Sequence, residues 1–152
     1  METIFKTWTT SRKLYLSFFG NYSLDQLNKV PNGFNNNLIW NIGHVIVAQQ
    51  SLIYKGSNLP MYISDDLVNL YKSGTKPTAT TSQTEANELK ELLISLIEKT
   101  KADFEKDVFT ATYNERTTGT GFHLASVNDA FEFNNYHEGI HLGYMMSIRK
   151  FV

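Results

Sequence analysis

Apolar residues recur along this chain at helical rather than strand spacing. Ile4, Phe5, Trp8, Tyr15, Phe18 and Phe19 fall on one broad face of a helix that Gly20-Asn21 can end. A second helix is expected to start at Asn36 or Asn37, either of which can cap it, and to run to about Lys55, with Gly56 as its stop. Its apolar residues, among them Leu38, Ile42, Val45, Ile46 and Ile53, surround much of the axis, so neighbours must cover it on several sides. Ser82-Gln83-Thr84-Glu85 has the spacing of a capping box, in which the serine oxygen and the glutamate carboxylate each satisfy an orphaned backbone N–H. The third helix begins there, with Ala86, Leu89, Leu93, Leu96, Ile97 and Phe104 as its stripe and Glu88, Glu91, Glu98, Lys99 and Lys101 on a solvated face. Ser126-Val127-Asn128-Asp129 repeats the capping pattern, and no proline follows it, which predicts a fourth helix to about Lys150, ~37 Å long. Short helical turns are expected at residues 24–29 and 65–71, a connector at 73–84, and a loop or short hairpin at 110–120.

Four amphipathic helices without a clear strand between them predict an all-α four-helix bundle, because each stripe needs other helices to cover it. The connections after the second and third helices, ~25 and ~18 residues, are long enough to cross the bundle, so the topology need not be simple up-and-down. At 152 residues, 41% of them apolar and 19% charged, a single domain over residues 1–152 is expected. A formal charge of −1 gives no field to draw nucleic acid or anionic lipid. The chain has no cysteine, which excludes a disulfide, a thiolate metal site and a cysteine nucleophile. The first residues lack the apolar stretch of a secretory signal, and polar residues interrupt the uncharged run 30–54, so a cytoplasmic protein without a membrane span is expected.

The chemistry concentrates in the histidines, of which there are four: His44, His123, His137 and His141. His137 and His141 are one helical turn apart on one face, an arrangement that lets two imidazoles converge on one cation. His137-Glu138-Gly139-Ile140-His141 also fits H-E-x-x-H, the zinc-protease signature. Residues 142–152 hold no His, Asp or Glu for the third ligand that such a protease needs, so the match is not read as one. His44, midway along a helix that looks like core, is the candidate third ligand, although a single buried histidine is more often a hydrogen-bonded core residue. His123, beside Gly121 and Phe122, is read as structural or exposed.

Three neutral imidazoles leave a divalent cation its full charge and an open position, as in catalytic rather than structural sites. Glu138, ~60° around the helix from His141, is the candidate catalytic residue, as a proton acceptor or as a group that orients an imidazole. Asn41, Asn134 and Tyr144, each three residues from a histidine, are expected to line the pocket.

Trp40-Asn41-Ile42-Gly43-His44, followed by His137-Glu138-Gly139-Ile140-His141-Leu142-Gly143, resembles the DinB-like (DinB/YfiT) superfamily of metal-dependent enzymes, over nearly the whole chain. The resemblance implies a bundle with a long crossover and a divalent ion, usually nickel, zinc or iron, on His44, His137 and His141. Relatives include thiol-dependent S-transferases and isomerases, so a low-molecular-weight thiol cofactor and a small-molecule substrate are implied, and a homodimer with them. The function expected is that of a hydrolase or thiol-dependent S-transferase. The competing expectation is a non-catalytic, stress-related binding module with a structural or vestigial metal site.

Overall fold

In the computed structural model, which describes residues 1–152, six helices and one small hairpin follow each other along the chain. The four long ones are α1 (Glu2–Asn21), α3 (Leu38–Ile53), α5 (Gln83–Glu105) and α6 (Val127–Ile148), with α2 (Leu24–Asn28) and α4 (Asp65–Tyr71) as short helices between them. Their starts are set by side-chain caps. Asn37 accepts the Trp40 N–H, Ser64 that of Leu67, and Ser82 and Glu85 form the reciprocal box expected of them. Ser23 and Gln26 form a second such box, which starts α2. At α6 the Ser126 hydroxyl takes the Asp129 N–H, while the Asp129 carboxylate takes the Ala125 N–H and the Ser126 hydroxyl proton.

Two boundaries differ from the sequence expectation. The second long helix stops at Ile53 and passes into a single 3-10 turn, Lys55–Ser57, which Asn58 closes at φ 59°. Gly56 is therefore not the left-handed stop; its lack of a side chain admits the Tyr113 ring, whose atoms would lie 2.6 Å from a Cβ there. The hairpin pairs β1 (Arg116–Thr117) with β2 (His123–Leu124), so its return strand lies beyond residue 120.

Within the bundle, α1 packs on α5 and α6, and α3 packs on the same two helices, which puts α1 and α3 on one diagonal and α5 and α6 on the other. The diagonals are crossed after the first and third long helices. The connection after α3, expected to be able to cross, joins neighbours instead.

The apolar interior is in two parts. Tyr15, Phe18, Ile42, Leu89, Leu142 and Met145 belong to one cluster, and Phe5, Trp8, Leu52, Ile53, Phe131 and Phe133 to the other. Buried polar side chains lie between them along three of the helices: Arg12 on α1, Gln49 and Gln50 on α3, and Asn134 and Glu138 on α6, with Thr100 just beyond the changeover on α5. Gln49 donates to Thr100 at 3.0 Å. Arg12 donates to both Glu138 oxygens, from Nε at 2.9 Å and from Nη2 at 2.7 Å, and Nη2 also reaches the Val45 carbonyl at 3.3 Å. Trp8 Nε1 and Asn134 Nδ2 complete the shell around Oε1, at 2.6 and 2.9 Å. The Tyr15 hydroxyl donates to the backbone carbonyl of Glu138, and burial pushes that phenol up, so it stays a donor.

An ion pair with no exposed surface contributes little net stability, but removing one member leaves the other charged and buried. Arg12→Met should lower unfolding stability by ~3–5 kcal/mol in a urea titration, and Arg12→Met with Glu138→Leu should recover most of that loss. Equal losses for the single and double variants would contradict this account of the pair.

Candidate metal centre

The α3–α6 contact brings His44 from one helix against His137 and His141 from the other. One nitrogen from each of the three lies within 4.8 Å of the others, and no further His, Asp or Glu joins the group. His44 is buried, and His137 and His141 are partly exposed. The Trp40 ring stacks on His44 at 4.9 Å and 9°, closing one side.

Hydrogen bonds at the Nδ1 atoms decide which nitrogens face the centre. His44 Nδ1 lies 2.7 Å from the Tyr71 carbonyl, which can only accept, so Nδ1 carries the proton and Nε2 is bare. That carbonyl is one of the last of α4, left free by the end of the helix. It reaches His44 because α3 carries a glycine at the crossing: a Cβ on Gly43 would lie 2.4 Å from the Tyr71 ring. His141 Nδ1 lies 2.8 Å from Asn41 Oδ1. Asn41 donates its NH₂ to the Asn37 carbonyl at 2.7 Å and to Asn36 at 2.9 Å, so its oxygen is the acceptor and His141 Nε2 is bare as well.

His137 Nε2 stands 3.3 Å from His44 Nε2, while His137 Nδ1 is buried without a partner. With His44 Nε2 bare, the contact closes either by a proton on His137 Nε2, as an N–H···N bond, or by a cation that both nitrogens share. Two imidazole nitrogens on one tetrahedral zinc-like ion, each at ~2.0–2.1 Å, stand about 3.3 Å apart, so the spacing fits a shared ion. The donor set fits too, since neutral imidazole suits the divalent transition metals. Burial, reinforced by the neighbouring imidazoles, holds His137 down to about 4 and His141 down to about 3, and His44 is lowered chiefly by burial. All three are therefore neutral at pH 7, as ligands must be.

The sequence model of the DinB superfamily matches residues 7–145, from within α1 to near the end of α6, and so spans both helices that carry the histidines. The chain belongs to the DinB superfamily. No curated protein matches it in sequence. No helix of this DinB-superfamily chain is long and apolar enough to cross a membrane.

The remaining candidate residues separate. Asn41 joins the cluster as the acceptor that orients His141. Glu138 does not face it: its carboxylate is enclosed by Arg12, Trp8 and Asn134, has no exposed surface, and makes no ion pair with any histidine. This corrects the expectation that it faces the pocket as a proton acceptor. The reason is its partners: at ~100° from His137 and ~60° from His141 around the helix, its side chain reaches α1, where Arg12 and Trp8 hold the carboxylate. Asn134 turns the same way, toward Glu138. Tyr144 sits at the surface of the superfamily bundle with its ring against Phe34 at 5.5 Å. His123 is exposed on β2, 3.5 Å from Glu115 and outside the cluster.

Sequence reasoning missed Arg12, Trp8 and the Tyr71 carbonyl. For Arg12 a signal was present, because it keeps the three-and-four spacing of Phe5, Trp8, Tyr15 and Phe19, a charged residue within an apolar stripe. The Tyr71 carbonyl is backbone, so no residue type announces it.

The sign of the pH dependence follows from the lowered values. Unfolded histidines protonate near 6.5, whereas His137 and His141 in the folded chain resist until about 4 and 3. The unfolded state then binds more protons between those limits, so the full contribution is present above about 6.5 and is lost as pH falls toward 3. The metal-free protein should melt at progressively lower temperature below pH 6.5, and His137→Gln/His141→Gln should flatten that slope relative to wild type. Parallel profiles for the two proteins would contradict the assignment.

Proposed function

We propose that this DinB-superfamily chain is a metal-dependent enzyme acting on a small molecule, of the hydrolase or thiol-dependent S-transferase type, with a divalent nickel, zinc or iron ion on His44, His137 and His141. The observation that carries the proposal is the 3.3 Å approach of two Nε2 atoms, together with Nδ1 protons held by Tyr71 and Asn41. Anchored on their far sides, the His44 and His141 rings are set for a ligand without rotamer search. A bound ion supplies Lewis acidity toward an oxygen or sulfur ligand at positions that three imidazoles leave open.

The chain's own residues do the rest. Tyr71 and Asn41 hold ligand protons at Nδ1 and keep Nε2 directed inward. Trp40 shields one face of His44 from water. The Tyr144 phenol makes no hydrogen bond within the chain and is 37% exposed, so it is free to donate to a bound substrate or thiol. Asn134 is committed to Glu138, and the Glu138 carboxylate acts as a buried counter-ion that fixes α6 rather than as a proton acceptor. We further propose a homodimer in the cytoplasm. The exposed apolar residues Ile140 and Met146 on α6, with Phe151 after it, support a second copy as partner.

One observation favours a second reading: no carboxylate stands beside the three histidines to move protons. On that reading the chain is a non-catalytic, stress-related binding module, and its ion is structural. A chelator should then lower the melting temperature by many degrees, as loss of a tightly bound ion does.

His141→Ala should abolish stoichiometric metal by elemental analysis of untagged protein, and with it any hydrolase or thiol-transferase turnover found in a substrate screen. Retention of a full equivalent of metal would remove His141 from the ligand set and the proposal with it.

A further inference from the structure

A hollow of about 630 Å³ opens beside the N-terminal half of α6, between that helix and the hairpin turn, and its size suits a small molecule. Phe122, Phe133 and Tyr136 give it aromatic walls, and Asp129 and Glu132 give it two carboxylates. Phe133 is the buried floor. Phe122 and Tyr136 lie against it at ring separations of 5.4 and 5.9 Å, yet 42% and 56% of their surfaces remain exposed. No Lys, Arg or His lines the hollow. Asp129 is engaged with Ala125 and Ser126, whereas the exposed Glu132 carboxylate has neither an ion pair nor a hydrogen bond within the chain.

These walls select by charge. An anion would meet two carboxylates. A neutral apolar ligand would desolvate them without compensation, which opposes its binding. An ammonium group gains twice, from the negative faces of the rings and from the free carboxylate. The Phe133 floor is also the hollow's nearest link to the histidine cluster, its ring 6.0 Å from that of His137, although no histidine lines the hollow itself.

We infer that this hollow is a binding subsite for the ammonium end of a small organic cation, with Phe122 and Tyr136 as its aromatic walls and Glu132 as its counter-charge. Resting on the enzyme reading above, it gives the substrate class as an amine or quaternary ammonium compound.

The test uses choline as the probe and its uncharged carbon isostere, dimethylbutanol, as the control, followed through the ring resonances of Phe122 and Tyr136 in the full-length protein. Choline should shift them saturably and bind roughly ten-fold more tightly than the isostere. Glu132→Gln and Phe122→Ala, both at exposed positions, should each weaken choline several-fold with the melting temperature unchanged. His141→Ala should leave choline binding intact, so loss of the metal reading and loss of the subsite are separately visible. No saturable shift, equal binding of the isostere, or unaltered affinity in Glu132→Gln would each overturn the subsite.

Discussion

One buried carboxylate sets the register on which the candidate site depends. Glu138 accepts from Arg12, Trp8 and Asn134 and has no exposed surface, so α6 cannot turn about its axis without leaving a charge unpaired inside the bundle. At ~100° per residue, that fixed point directs His137 and His141 around the helix toward α3, where His44 waits. The arginine comes from α1, which lies across the diagonal from α3, so one ion pair ties the rotation of α6 to a helix that carries no ligand. A pair of apolar residues would pack about as well there, but would not define the angle of α6 as narrowly.

A second constraint acts on the rings themselves. Each of two histidines spends its Nδ1 proton on an acceptor that is held elsewhere: the Tyr71 carbonyl at the end of α4, and the Asn41 amide, locked by its own bonds to Asn36 and Asn37. The Tyr71 carbonyl reaches its ring because Gly43 supplies the close approach where α4 meets α3. The short helix after α3 is thus part of the centre, although it contributes no side chain to it. His137 differs, having no partner at Nδ1, and its partly exposed ring marks the side of the cluster nearest the aromatic hollow.

Much of this was legible in the sequence, and the rest was hidden for physical reasons. The caps at Asn37, Ser82 and Ser126 are local chemistry, so the helix starts followed directly from residue types. The pairing of His137 with His141 is fixed by helix geometry alone. Recruitment of His44 is a tertiary event across 93 residues, which the helical pattern allowed but did not dictate. The diagonal path of the chain was not legible, because stripes say that helices are covered and not by which neighbour. Glu138 was misplaced because its side chain follows a partner 126 residues away, and the heptad-like position of Arg12 was the overlooked clue. The Tyr71 acceptor is backbone and leaves no mark in residue type, and Gly43, a glycine within an apolar helix, signals a close approach without naming the partner.

The most direct measurement is a crystal structure of untagged protein with anomalous data collected on both sides of the nickel, zinc and iron absorption edges. The account predicts one anomalous peak lying ~2.0–2.2 Å from the Nε2 atoms of His44, His137 and His141 together. A peak bound through any other set of atoms, or three empty imidazoles in protein saturated with these metals, would contradict it.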